Sequence, residues 1–118
     1  MNVYHFSYDV FDMETIDCVN HDEVRKYLIN IFLTNGCDDV KSYVESCMII
    51  YSELPFTGPN GLRKIIGDEL DDYFYYSFSQ INENMRRFNI IHFPRQNNFV
   101  ENFETLKAKV IRDIRNSR

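Results

Sequence analysis

Three carboxylates within six residues, Asp9, Asp12 and Glu14, have the type and spacing for metal chemistry. Carboxylate oxygens suit magnesium or manganese, and a symmetry mate can complete a site that one chain leaves short of donors. A water held by such a metal, with Asp9 and Asp12 as ligands, could attack a phosphodiester. The same residues also read as local structure, with Asp12 and Glu14 solvated in a loop and Asp9 as a cap or turn former. Both readings stay open on the residues alone.

Other reactive types are scattered. His5 lies four residues before Asp9, about 13 Å along an extended chain, too far to share a metal within one chain. His21 reads as a helix-start residue and His92 as a strand residue near Pro94. Neither a Ser-His-Asp nor a Cys-His arrangement assembles from the sequence. Thr57-Gly58-Pro59-Asn60-Gly61 lacks the spacing and the lysine of a phosphate-binding loop. Cys18, Cys37 and Cys47 have no Cys-x-x-Cys spacing; they read as small core or surface thiols in a reducing compartment.

The elements that must position these residues follow from periodicity. Val3 to Val10 alternates, with Tyr4, Phe6, Tyr8 and Val10 on one face and Val3, His5, Ser7 and Asp9 on the other, which predicts a strand. Asn20 as N-cap and Glu23 three residues on open a helix whose stripe is Val24, Tyr27, Leu28, Ile31 and Phe32, closed by Gly36. Val40–Val44 and Cys47–Ser52 read as strands joined by a turn at Glu45-Ser46, the second apolar on both faces and so central. After Pro55, Gly58 and Pro59, with Thr57 as the expected cap, Leu62, Ile65, Ile66, Leu70 and Tyr73 mark a second helix, and Tyr75–Ile81 a further strand.

That order predicts an α+β fold: a ferredoxin-like β-α-β-β-α-β antiparallel sheet with two helices on one face. An extension from about residue 82 adds a short fifth strand at Phe88–Phe93, stopped by Pro94. A third helix then opens at Asn97 or Asn98, with Phe99, Phe103, Leu106, Val110 and Ile114 on one side. The length of 118 residues suits one domain. Ten Phe and eight Tyr within a 44% hydrophobic chain supply a core without zinc or disulfides. The longest apolar stretch, Cys47 to Tyr51, is too short to span a membrane, and the N-terminus lacks a signal-peptide pattern, so a cytoplasmic location is expected.

Strand one ending in Tyr8-Asp9-Val10, a helix, then a hairpin whose second strand is Ser46-Cys47-Met48-Ile49-Ile50 resembles a group of small ferredoxin-fold proteins. The group comprises CRISPR-adaptation nuclease-like subunits, VapD ribonucleases and SinR-like proteins, and the likeness covers about residues 3–81. It implies a dimer in which Asp9 holds a divalent metal across the interface, as in a magnesium- or manganese-dependent endoribonuclease. The group often places arginines soon after this aspartate, whereas the next basic residue here is Arg25.

Charge points elsewhere. Residues 1–85 carry five basic and fifteen acidic side chains; residues 86–118 carry eight basic and three acidic. An acidic body is a poor surface for nucleic-acid phosphates. Lys107, Lys109, Arg112, Arg115 and Arg118 make the C-terminal helix basic. They suit contact with nucleic acid or a partner, a solvated face, or neutralisation of Asp68, Glu69, Asp71 and Asp72, the acidic surface expected to meet a partner. Tyr43, Tyr51, Tyr75 and Ser77 are expected on the sheet's other face with His5. That face calls for a cover: a twin subunit, the C-terminal segment or a target.

Two functions fit. One is a non-catalytic binder without a cofactor, of the immunity-protein, antitoxin or phage anti-defence type, blocking a basic surface of a nucleic-acid-acting target. The other is the metal-dependent endoribonuclease that the resemblance implies. The residues favour the binder.

Overall fold

The computed structural model describes residues 1–81 and 94–117. Its architecture is α+β, a four-stranded antiparallel sheet with three helices. The elements run β1 (Asn2–Val10), a single 3-10 turn (Met13–Ile16), α1 (His21–Thr34), β2 (Asp39–Val44), β3 (Cys47–Ser52), α2 (Leu62–Leu70), β4 (Phe74–Ile81) and α3 (Pro94–Asn116). The strand order is β2-β3-β1-β4, so β1 and β3 are central.

Alternation sets the faces. Tyr4 and Phe6 of β1, Met48 and Ile50 of β3, and Val40 of β2 are buried against the helices. They meet Val24, Leu28, Ile31 and Phe32 of α1 and Leu62, Ile66 and Leu70 of α2 in one continuous core. The Phe6 and Phe32 rings meet edge-on at 5.1 Å, a favoured aromatic geometry. The Tyr4 hydroxyl donates to the Leu54 carbonyl at 2.7 Å, so its burial strands no polar group. Alternation puts Ser42 inward with Val40, where it is buried, and between Lys41 and Val44 the register shifts. There its hydroxyl donates to the Cys47 carbonyl at 2.6 Å.

The ends of α1 follow the expected chemistry. The Asn20 side chain accepts from the Glu23 amide at 2.9 Å, while the Glu23 carboxylate accepts from the Val19 amide at 3.2 Å. At the other end Gly36 has φ 99°, and the Cys37 amide reaches back to the Phe32 carbonyl at 3.1 Å. A side chain at Gly36 would also press on Leu54.

Two expectations about helix starts are corrected. Gly61, not Thr57, is the N-cap of α2, and no side chain caps it. The Leu62 and Arg63 amides are taken instead by the Pro55 and Phe56 carbonyls, at 2.8 and 3.1 Å. The last helix begins at Pro94, three or four residues before Asn97 or Asn98. Proline suits a first helical position, where its missing N–H has no partner to lose. The expected fifth strand at Phe88–Phe93 lies outside the described residues, as do His92 and Arg118.

Phe103, Leu106 and Val110 of α3 join the same core. This helix packs on α1 and β2, which places it in the helix layer. The helix itself therefore does not cover the sheet's other face; residues 82–93 of the C-terminal segment, expected as one of three covers, lie outside the described residues. Among the described residues, no helix is long and apolar enough to cross a membrane.

Candidate interaction face of the sheet

The face turned away from the helices is assembled by the strand register. Tyr51 of β3, Val3 of β1 and Ile81 of β4 share one row; Lys41, Ile49, His5 and Ser79 share the next. Cys47, Ser7 and Ser77 follow, and then Asp9 beside Tyr75. His5, Tyr51 and Tyr75, thirty or more residues apart in places, thus lie on one surface.

Its apolar content is uneven. Val3 and Ile49, each 9% exposed, are sheltered. At the end where β1 finishes, Tyr75 is 69% exposed and Phe11 48% exposed. Their rings meet at 4.2 Å, so the two form one aromatic knob rather than two stray side chains. Tyr51 lies at the opposite end, with the Lys41 ammonium 5.9 Å from its ring centre. Burial, and then the nearby Tyr43 phenol, push the Tyr51 hydroxyl above its ordinary value.

Between these ends sits a contact that the sequence did not disclose. The Cys47 sulfur lies 2.8 Å from His5 Nε2, and the Ser7 hydroxyl lies 3.8 Å from the same sulfur. The residues are diagonal neighbours across β1 and β3: Cys47 pairs with Ser7, and His5 with Ile49. The alternation of β1 groups His5 with Ser7, but only the antiparallel register brings the thiol to them.

The carboxylates anticipated as a metal site are dispersed in role. Asp9 is exposed and faces outward beside Tyr75. Asp12 caps the 3-10 turn, its Oδ1 accepting from the Glu14 amide at 3.0 Å. Glu14 points to solvent. Among the described residues, no group of three or more His, Cys, Asp or Glu side chains could hold a metal ion.

The charged helices divide similarly. Asp68 pairs with Lys64 at 3.2 Å, and Asp71 accepts from the Tyr76 hydroxyl at 2.6 Å. Glu69 and Asp72 are exposed. Lys107 is nearly enclosed, reaching Asp39 at 3.1 Å, Glu104 at 2.9 Å and the Val40 carbonyl at 3.1 Å. It therefore braces α3 against β2 and is not presented to a phosphate. Lys109, Arg112 and Arg115 remain exposed. Among the described residues, no ion pair joins α3 to Asp68, Glu69, Asp71 or Asp72; Lys107 neutralises Asp39 instead.

A cleft of about 450 Å³ lies between the loop before α2, α2 itself and the start of β4, lined in part by Arg63, Lys64, Asp68, Asp71 and Tyr76. Its mixed charge and the occupied first amides of α2 make it a poor anion cradle. Among the described residues, the face beside Asp9 and Tyr75 joins an exposed aromatic pair to an exposed carboxylate. No family model, curated protein or solved structure matches the chain.

Proposed function

We propose that this chain is a non-catalytic binding protein of ferredoxin-like architecture, acting as an immunity protein, antitoxin or anti-defence inhibitor. It covers a basic surface of a protein that acts on nucleic acid. The strand order β2-β3-β1-β4, with every neighbour antiparallel, supports the architecture. The observation that carries the function is the exposed Phe11–Tyr75 knob set beside the outward-facing Asp9.

Such a combination suits a protein partner. Aromatic side chains anchor interfaces at low entropic cost, and a carboxylate rim meets arginine and lysine on the target. The acidic balance of residues 1–85 adds long-range attraction for a basic target and repels free nucleic acid.

The test has two arms. The protein is co-expressed with a nuclease or toxin encoded beside its gene, and growth and complex formation are measured. Rescue by the wild type, weakened by Tyr75→Ala and by Asp9→Lys, supports the binder. In the second arm, purified protein meets labelled RNA with manganese or magnesium. Cleavage by the wild type that Asp9→Ala abolishes would overturn the binder in favour of the dimeric endoribonuclease that uses Asp9.

A further inference from the structure

The three cysteines occupy unequal environments. Cys18 and Cys37 are both 7% exposed. Burial raises the Cys18 thiol above its ordinary value and pushes the Cys37 thiol up to about 12, so both are disfavoured as thiolates. Cys47 is only half-buried, on the outward face of β3, one residue beyond the hairpin turn. Among the described residues, it has a base within hydrogen-bond reach, His5 Nε2 at 2.8 Å, and a hydroxyl, Ser7, at 3.8 Å.

From this geometry we infer that Cys47 is a reactive thiol, paired with His5 as its base, and a modification site for small-molecule disulfides. A nucleophile and a base within hydrogen-bond reach form the minimal arrangement for activating a thiol. With Nε2 unprotonated, the thiol donates to it and passes its proton to the ring as the sulfur attacks. Ser7 can donate to the sulfur and so support its negative charge.

The exchange is balanced. Cys47 Sγ attacks one sulfur of the disulfide and forms a new S–S bond, while the old S–S bond breaks with its electron pair on the departing sulfur. The proton held by His5 passes to that sulfur, releasing a thiol. Cys47 is oxidised to a mixed disulfide, and half of the reagent is reduced. Neither a metal nor a further oxidant takes part, and the step is independent of the partner reading above.

The position favours this chemistry over a disulfide within the chain. Cys18 and Cys37 belong to the core on the helix side of the sheet, whereas Cys47 faces the other way. A small external disulfide is therefore the accessible co-reactant. Its attached half would sit among His5, Ser7 and Ser77, in the middle of the face that also carries Tyr75.

The full-length chain is treated with glutathione disulfide at neutral pH, and mixed-disulfide formation at each cysteine is timed by peptide mass spectrometry. The denatured chain, in which all three thiols are equally open and His5 is no longer adjacent, is the internal reference. Cys47 is expected to react about tenfold faster folded than denatured, while Cys18 and Cys37 are protected. His5→Gln, with its melting temperature checked, is expected to return Cys47 to the denatured rate. Equal or slower reaction of folded Cys47, or an unchanged rate in folded His5→Gln, would overturn the assignment.

Discussion

On β1, Tyr4 and Phe6 are fully buried beneath the helices, whereas Asp9 on the alternate face is exposed and His5 and Ser7 are only half-buried. The two sets come from one strand and differ by a single residue in phase. On the helix side, Phe6 touches Tyr8, Phe32, Tyr76 and Phe78 at ring-centre distances between 5.1 and 5.8 Å. On the outward side, the most exposed ring, Tyr75, touches Phe11. Stability is concentrated in the first set, which leaves the second free to carry polar and reactive groups.

The largest test of that division compares one aromatic from each face. Phe6→Ala opens a cavity at the centre of the core and is expected to cost about 3–5 kcal/mol, a third or more of a typical domain's stability. Tyr75→Ala is expected to stay within about 0.5 kcal/mol of the wild type, since the ring is mostly in water. Denaturant unfolding of both variants measures the contrast. A loss above about 1 kcal/mol for Tyr75→Ala would break it, because the outward face would then be contributing to the fold.

Next in size is the brace between α3 and β2. Burial pulls the Lys107 ammonium down, but hydrogen bonds to Glu104 and Asp39 outweigh it and hold the group above its ordinary 10.5. Lys107→Met removes those bonds and leaves the Val40 carbonyl without this donor. The expected loss is about 1–3 kcal/mol. A raised folded-state value means that the contribution is complete below the unfolded value and fades as pH rises through the folded one. The gap between wild type and Lys107→Met should thus be constant through neutral pH and narrow above about pH 10.5. A gap that stays unchanged as pH rises well above about 10.5 would assign the stabilisation to other groups.

The unequal legibility of the two faces has a physical source. Strand β1 and helix α1 were readable because their signals are local: a period of two, and a cap three residues from its partner amide. The start of α2 was not, because backbone carbonyls of Pro55 and Phe56 replace the side-chain cap. Pro94 was ambiguous, since a proline that stops a strand also suits a helix's first position. The Cys47–His5 contact joins residues 42 apart and exists only in one register of β1 against β3. Composition and spacing can place His5 on a face; they cannot say which β3 side chain stands diagonally opposite. The acidic trio shows the converse. Asp9, Asp12 and Glu14 are close in sequence, yet capping turns Asp12 to its own turn while Asp9 faces outward from the sheet.

The smallest effect lies at the edge of the sheet, where Tyr76 of β4 donates to Asp71 just beyond α2. Burial, followed by that hydrogen bond and the carboxylate's charge, pushes the phenol up to about 12. The bond is largely open to water, so Tyr76→Phe should cost only about 0.5 kcal/mol near neutrality. Its sharper signature is spectroscopic. Tyrosinate absorbance of the wild type minus that of Tyr76→Phe should titrate near 12 rather than at the ordinary 10. Because the folded value is raised, the stabilisation is complete below the unfolded phenol's pKa and is lost as pH climbs through the folded one. A difference spectrum titrating at 10 would show that Tyr76 is solvated like an outward-facing residue. The inward row of β4, Phe74, Tyr76 and Phe78, would then be broken at its middle, and the division between the two faces would not hold at the sheet's edge.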